Sequence, residues 1–240
     1  MLKYKQVKKN RRKFLALTGI TPREFNLLLP AFSEVYERLH PARKTQAGRK
    51  RKRAKGGGRK GSLDSLEQKL LFILVYQKTY PLQVLLGEVF DLSQPRVNYW
   101  VHQLLPVLKQ TLDELGLLPE RAPQEFAARE RCHKESPDFI IDGTERRRQR
   151  PKQAQKQAAH YSDKKKTHTD KNVVIVNTKT QRVGYLSRTY VGKTHDKKMA
   201  DVEDIRYPRR STLYKDTGFQ RYEPRVAETR QPKKSRAKVN

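Results

Sequence analysis

From Ala42 to Gly61 the chain carries ten Lys or Arg, no acid, and the glycine triplet Gly56-Gly57-Gly58. Such a stretch cannot bury itself, so it divides whatever folds before it from whatever folds after it. It reads either as a solvated spacer or as a basic flexible linker that touches phosphate. The wider charge balance favours phosphate: 54 Lys and Arg oppose 25 Asp and Glu, a net charge of +29 over 240 residues of which 35% are hydrophobic. An excess of that size repels itself unless a polyanion supplies counter-charge, and nucleic acid is the partner it points to. The length suits one large or two small domains. The longest apolar run, Leu70 to Tyr76, is well short of the roughly 20 residues that span a bilayer. Met1-Leu2-Lys3-Tyr4-Lys5 has no apolar signal-peptide core, so a soluble protein without membrane partners is expected. The single cysteine, Cys132, excludes an internal disulfide, and no Cys/His spacing suggests zinc; any metal is expected to be held by oxygen.

Before the linker, Thr21-Pro22-Arg23-Glu24 reads as a capped helix start with proline in the first position. Phe25, Leu28, Leu29, Phe32, Val35 and Leu39 then recur at helical spacing up to Pro41. After the linker come three helical patterns in close order. Leu63, Leu66, Leu70, Ile73 and Leu74 form one stripe and Leu82, Leu85, Leu86 and Val89 a second, broken from the first at Thr79-Tyr80-Pro81. Ser93 caps a third, on which Val97, Trp100, Val101 and Leu104 face inward while Gln94, Arg96, Asn98, Tyr99 and His102 lie on other faces. A short helix, a tight turn and a helix bearing Arg and Asn near its start is the layout that reads base edges in a major groove. A plain helical bundle is the competing reading, and the net charge favours DNA. Pro106 is expected to interrupt or kink the third helix, and Gly116 to stop it.

Beyond Leu118–Pro123 the pattern becomes strand-like. Phe139-Ile140-Ile141 closes on Asp142-Gly143, Val173 to Val176 is a second run, and Val183 to Tyr190 a third after a turn at Thr178 to Gln181. Gly192-Lys193-Thr194 leads into a helix from about His195 to Ile205, and Thr212-Leu213-Tyr214 is a fourth strand ending at Asp216. Strands, a helix and a further strand make a mixed α/β domain. Asp142 and Asp216 both follow apolar strands and both have a glycine close behind. Two carboxylates meeting at strand ends repel unless a cation joins them, and hard oxygen ligands with open water positions suit Mg²⁺ or Mn²⁺. Such a site does phosphodiester chemistry. Each Asp-Gly pair alone equally marks a plain turn. Between Arg146 and Lys171 lie ten more Lys or Arg interleaved with Gln153, Gln155 and Gln157; this block reads as a surface loop or, following the first acid so closely, as phosphate contacts beside the scissile bond.

Taken together, Asp142-Gly143-Thr144-Glu145-Arg146, Tyr161 to His168, Gly192 to Lys197 and Asp216-Thr217-Gly218-Phe219-Gln220 resemble the DDE transposases of the insertion-sequence five group of bacterial mobile elements. The resemblance runs from about Phe14 to Pro232. It implies an α+β or α/β chain: a helical helix-turn-helix region, then an incomplete ribonuclease-H-like mixed sheet with helices. The corresponding division is an N-terminal helical segment at 1–41, the basic linker at 42–61, a helix-turn-helix domain at 62–118, a linker at 119–137 and a partial nuclease domain at 138–240. By the same likeness Asp142 and Asp216 are the first and second catalytic, metal-binding acids, with Mg²⁺ or Mn²⁺ as cofactor. His195-Asp196 is a motif near the site, and its competing reading is a helix start where Asp196 complements the dipole. Arg96, Asn98 and His102 are expected to address DNA bases, and Arg146, Arg147, Lys164 and Lys165 its phosphates. The partners are then the terminal repeats of an element and its target DNA, in a bacterial, cytoplasmic, nucleoid-associated setting, with a homo-oligomer as the active form because transposition joins two ends.

The family's third carboxylate, a glutamate on a later helix, has no evident counterpart. Glu223 and Glu228 are the acids after Asp216, among prolines and basic residues, and Glu203 precedes the fourth strand. A Lys-rich continuation holds to Lys233-Lys234 and then departs, which suggests a truncated or first-frame product. A regulator that occupies element ends without cutting, and a general basic nucleoid or RNA-binding protein, are the rival readings.

Overall fold

The structure, a computed structural model, describes residues 1–41, 61–130 and 138–232. The basic linker, Cys132 and the Lys233-Lys234 departure lie outside the described residues, save for Gly61 at the linker's end. The chain forms two units, Met1–Leu117 and Leu118–Asn240.

The first unit is helical: α1 (Tyr4–Val7), α2 (Arg11–Thr18), α3 (Pro22–Leu39), α4 (Leu66–Thr79), α5 (Gln83–Phe90) and α6 (Gln94–Glu114). As the sequence predicts, α3 opens on a capping box: the Glu24 N–H donates to Thr21 Oγ1 at 3.3 Å and the Thr21 N–H to Glu24 Oε2 at 2.7 Å. Phe25, Leu28, Phe32 and Val35 are buried, whereas Leu39, in the last turn, is exposed. α1 and α2 were not expected, being short and basic; Phe14 of α2 nonetheless sits fully buried beside Phe25 with ring centroids 5.4 Å apart. α4 carries no one-sided stripe. Every residue from Gln68 to Val75 is buried, because α4 packs against α1, α2, α3 and α6. Its polar members are satisfied: Lys69 Nζ donates to the Leu63 carbonyl at 2.7 Å, and Gln68 ties down the N-terminal segment through Leu2 O (2.6 Å) and the Tyr4 N–H (3.0 Å).

The expected stripe of the second pattern is overturned. Leu86, Gly87 and Phe90 are the buried face of α5, while Leu82, Leu85 and Val89 are exposed. The helix is apolar on nearly every side, so periodicity alone draws more than one stripe; the face that turns inward is the one where Gly87 lets the chain return. After α5 the backbone turns through Asp91 at φ 56°, and the Leu92 N–H donates to Gly87 O at 2.9 Å. Ser93 precedes α6 but caps it through its carbonyl, which accepts from the Arg96 and Val97 N–H groups, and not through its side chain. α6 runs unbroken across Pro106, contrary to the expected interruption. Pro106 is on the exposed side, where the one carbonyl it deprives of a donor can be hydrated. The helix ends at Glu114 with Gly116 at φ 64°, the stop that glycine predicts.

The second unit consists of α7 (Phe126–Glu130), β1 (Phe139–Arg147), α8 (Ala154–His160), β2 (Tyr161–Ser162), β3 (Thr167–Asn177), β4 (Val183–Leu186), β5 (Tyr190–Val191), α9 (Asp196–Glu203), β6 (Thr212–Lys215), a 3-10 turn (Thr217–Phe219) and β7 (Glu228–Arg230). The sheet order is β2-β3-β1-β6-β7, with β4 and β5 also on β3. β1 is antiparallel to β3 and parallel to β6, which is parallel to β7. This mixed sheet with helices is the α+β, ribonuclease-H-like arrangement that the resemblance implied. Several elements differ from the sequence reading; β3, for one, begins at Thr167 and not at Val173. β1 does not close at Asp142 but continues to Arg147, because β3 pairs with all nine of its residues. The third run splits into β4 and β5 because Asn172 Nδ2 donates to the carbonyls of Ser187 and Arg188 (both 2.9 Å) and bends the chain there. β7, too short and charged to be read from sequence, adds a strand beyond β6.

The core of this unit gathers Phe126, Phe139, Ile141, Val173, Ile175, Tyr185, Met199, Leu213 and Phe219, with α9 laid on the sheet. Glu203 is buried on α9 and accepts from the hydroxyls of Tyr185 and Tyr190, a structural use of an acid that could not serve at the strand ends. Tyr222 lies in the same core, and burial pushes its phenol up to about 12. The unfolded phenol titrates near 10, so the neutral form that folding favours is fully present below pH 10 and stability is lost as pH rises through 10 towards 12. By pH 11 this group alone should remove on the order of 1 kcal/mol. Urea unfolding followed by far-UV circular dichroism at pH 9 and pH 11 should show that fall in the wild type and a shallower one in Tyr222→Phe.

Candidate active site at the strand ends

β1 and β6 pair in parallel register, Phe139 with Leu213, Ile140 with Tyr214 and Ile141 with Lys215. The next residue on each is an aspartate, Asp142 and Asp216. Asp142 lies within β1, still opposite Val174 of β3, whereas Asp216 is where the β6 chain leaves the sheet and caps the 3-10 turn. Two acids far apart in sequence thus leave the paired segment at one level, on strands that sit about 4.8 Å apart. This is the carboxyl end of parallel strands, where open α/β sheets form their crevices.

Both side chains are exposed. Asp142 Oδ1 accepts from the Gly143 N–H at 2.7 Å; Asp216 Oδ1 accepts from the Thr217 N–H and from Thr217 Oγ1 at 3.0 Å. Each carboxylate is oriented through one oxygen, and the other makes no hydrogen bond or ion pair among the described residues. Paired, outward-facing carboxylate oxygens of this kind are a donor set that fits a hard divalent cation with several waters retained.

A third acid adjoins them. Asp196, in the first turn of α9, sits so close to the backbone at Gly143 and Gly218 that a Cβ on Gly143 would lie 2.8 Å from its Oδ1, and one on Gly218 2.9 Å from its Oδ2. Its carboxylate therefore packs against the residue after Asp142 and the second residue after Asp216. Lys171 Nζ holds it at 3.3 Å, lies 3.3 Å from Glu145 Oε1 and donates to the Thr194 carbonyl at 3.1 Å. Glu145 is nearly enclosed, and its Oε2 has no hydrogen-bond partner. The sequence reading put His195-Asp196 near the site. It had no means of knowing that the glycines behind the two aspartates are the places where Asp196 is received. Among the described residues, no three His, Cys, Asp or Glu side chains are gathered closely enough to hold an ion.

The basic residues lie elsewhere. Arg146 Nη2 donates to Asn172 Oδ1 at 2.8 Å, Arg147 is exposed opposite Thr169, and Lys164 and Lys165 are exposed in the turn between β2 and β3. Arg147 is five residues along β1 from Asp142, about 16 Å at 3.3 Å per residue. α8 occupies part of what reads as a loop. In the helical unit, Arg96, Asn98 and His102 are exposed near the start of α6; the Arg96 guanidinium lies 5.4 Å from the Tyr99 ring centre, and His102 Nδ1 is 2.9 Å from Asn98 O.

Residues 61–114, which contain α4, α5 and α6, match the helix-turn-helix of DDE superfamily endonuclease, and residues 141–238 match DDE superfamily endonuclease. Both stretches are thus similar to parts of DDE superfamily endonucleases. The endonuclease match begins one residue before Asp142 and takes in Asp196 and Asp216. The two DDE-superfamily domains support a transposase-type function and imply DNA binding, and endonucleases of this superfamily generally use divalent metal ions. No curated protein and no solved structure matches the chain. None of its described helices is long and apolar enough to cross a membrane.

Proposed function

We propose that the chain is a transposase of the insertion-sequence five group, in which Asp142 and Asp216 hold divalent metal, Mg²⁺ or Mn²⁺, at the ends of β1 and β6. The observation that carries this reading is the parallel β1–β6 register, which ends on an aspartate in both strands. A divalent ion held by these carboxylates would supply Lewis acidity to phosphodiester chemistry. The chain's own part is to orient the two carboxylates through the Gly143 and Thr217 N–H groups. Water attacks the phosphorus at the element end and the 3′-oxygen departs with a proton; the freed 3′-hydroxyl then attacks a phosphodiester of target DNA, loses its proton, and displaces the target strand's 3′-oxygen, which leaves as a hydroxyl. Arg96, Asn98 and His102 meet base edges from α6, and Arg147, Lys164 and Lys165 meet phosphates, as does Arg146, whose guanidinium is held by Asn172. The active form is a homo-oligomer that joins two element ends.

A second reading is favoured by one observation: no third acidic or histidine side chain completes an ion site with Asp142 and Asp216 among the described residues. In it the chain occupies element ends and inhibits transposition without cutting. Incubating the chain with supercoiled plasmid bearing the element's terminal repeats separates the two. Nicking that requires Mg²⁺ and stops with EDTA supports the transposase; retained binding to the repeats with no nicking in Mg²⁺ or Mn²⁺ supports the regulator.

A further inference from the structure

A second concave site lies in the nuclease unit, about 20 Å from the aspartates: His168 is six residues along β3 from Val174, the partner of Asp142, at 3.3 Å per residue. This cleft of about 460 Å³ is lined by Arg150, Gln157, Tyr161, Asp163, His168 and Lys193. Four of these, Tyr161, Asp163, His168 and Lys193, come from motifs to which the strand-end chemistry gives no task, the Tyr161–His168 segment and Gly192-Lys193-Thr194. The rim is built. The Arg150 fork is fixed by two hydrogen bonds from Nε and Nη2 to Gln157 Oε1, at 3.0 and 2.9 Å. Lys193 reaches the rim because Gly192 is pressed against its neighbours; a Cβ there would lie 2.3 Å from Thr169 Oγ1 and 2.5 Å from His160 O. The Lys193 N–H donates to the Ala159 carbonyl at 3.1 Å, and its ammonium makes no hydrogen bond or ion pair with another described residue. In the same cleft the rings of Tyr161 and His168 meet at 75°, centroids 5.6 Å apart, and Tyr161 is 37% exposed.

We propose that this cleft binds one unpaired nucleotide of DNA, with its base on Tyr161 and its phosphate between Arg150 and Lys193. Cations alone would suit the backbone of a duplex, but an exposed ring has nothing to stack on there, because pairing and stacking hide the base faces. A base released from the duplex offers both its face and its phosphate. Asp163 would repel a phosphate and accept from a base N–H, which fixes the orientation. The nucleotide bound is not the one being cut: at about 3.4 Å per step of a strand, 20 Å is about six nucleotides from the aspartates. The proposal rests on the reading that the chain acts on DNA.

The test uses the full chain at saturating concentration and a duplex carrying a single unpaired 2-aminopurine in one strand, whose fluorescence falls when the base stacks. The wild type should quench it at least twofold, Tyr161→Trp should retain the quenching, and Tyr161→Leu should abolish it while binding fully paired duplex within twofold of the wild type. Lys193→Gln should weaken binding to the DNA with the unpaired base and lower its salt dependence by about one ion, with paired duplex little changed. Quenching by Tyr161→Leu equal to that of the wild type overturns the proposal, as does an equal loss of both DNAs in that variant. If the wild type binds neither DNA, the DNA-binding reading itself fails, a result distinct from the first two.

Discussion

Replacing Asp142 with alanine should lower Mg²⁺-dependent nicking of terminal-repeat DNA by at least about 10³-fold, roughly 4 kcal/mol of transition-state stabilisation. Asp142→Asn should fare no better. Asparagine still accepts from the Gly143 N–H, so the strand end keeps its shape, but the charge that a hard cation requires is gone. Binding of the same DNA should be unchanged or slightly tighter, since base recognition is assigned to α6 and one negative charge has left a surface that meets phosphates. Single-turnover cleavage and electrophoretic mobility shift on the same substrate measure the two properties. Undiminished cleavage by Asp142→Ala would remove that residue from the chemistry, and parallel loss of binding and cleavage would point to a folding defect.

The second large effect is expected at Gly87. A Cβ there would lie 2.4 Å from the Leu92 carbonyl oxygen, a backbone atom, and 3.7 Å from Val97 Cγ2. The carbonyl cannot simply swing aside, because the Leu92 N–H is bonded to Gly87 O and Asp91 is already in the left-handed region. Gly87→Ala must therefore move α5 against α6, at a cost of about 1–3 kcal/mol or more. Trp100, on α6, is the only tryptophan, so its fluorescence follows this unit during thermal or urea unfolding. Gly61→Ala is the matched control: a Cβ there meets nothing within 4 Å, and its melting curve should overlay that of the wild type. Specific DNA binding should fall with Gly87→Ala below its lowered melting temperature and also above it, because the turn sets the angle at which α6 is presented.

What could be read in advance depended on how local the deciding interaction is. The α3 cap was legible because Thr21, Pro22 and Glu24 act within one turn. The β1 and β6 cores were legible as short apolar runs closing on acids, so Asp142 and Asp216 stood out as candidates before any pairing was known. The level at which they meet was not legible, since it depends on a parallel register between strands some seventy residues apart. The face of α5 was misread for a related reason: Leu82, Leu85 and Val89 are as apolar as Leu86 and Phe90, and only the close return of the chain at Gly87 distinguishes them. α1, α2, α8 and β7 are short and largely polar, so they are held by neighbours and leave little periodic trace. Asp196 was visible as a residue next to a histidine at a helix start, yet its seat against Gly143 and Gly218 depends on tertiary approach alone.

The parallel pairing of β1 with β6 also has a temporal side. During synthesis Asp142 emerges first, and its strand can zip onto β3 as soon as Asn177 has followed. Its acidic counterpart is among the last portions of the described chain to be made. While the intervening residues are being added, a nascent polypeptide holds only one of the two carboxylates, and any scission of DNA that needs the pair must wait until Asp216 has left the ribosome.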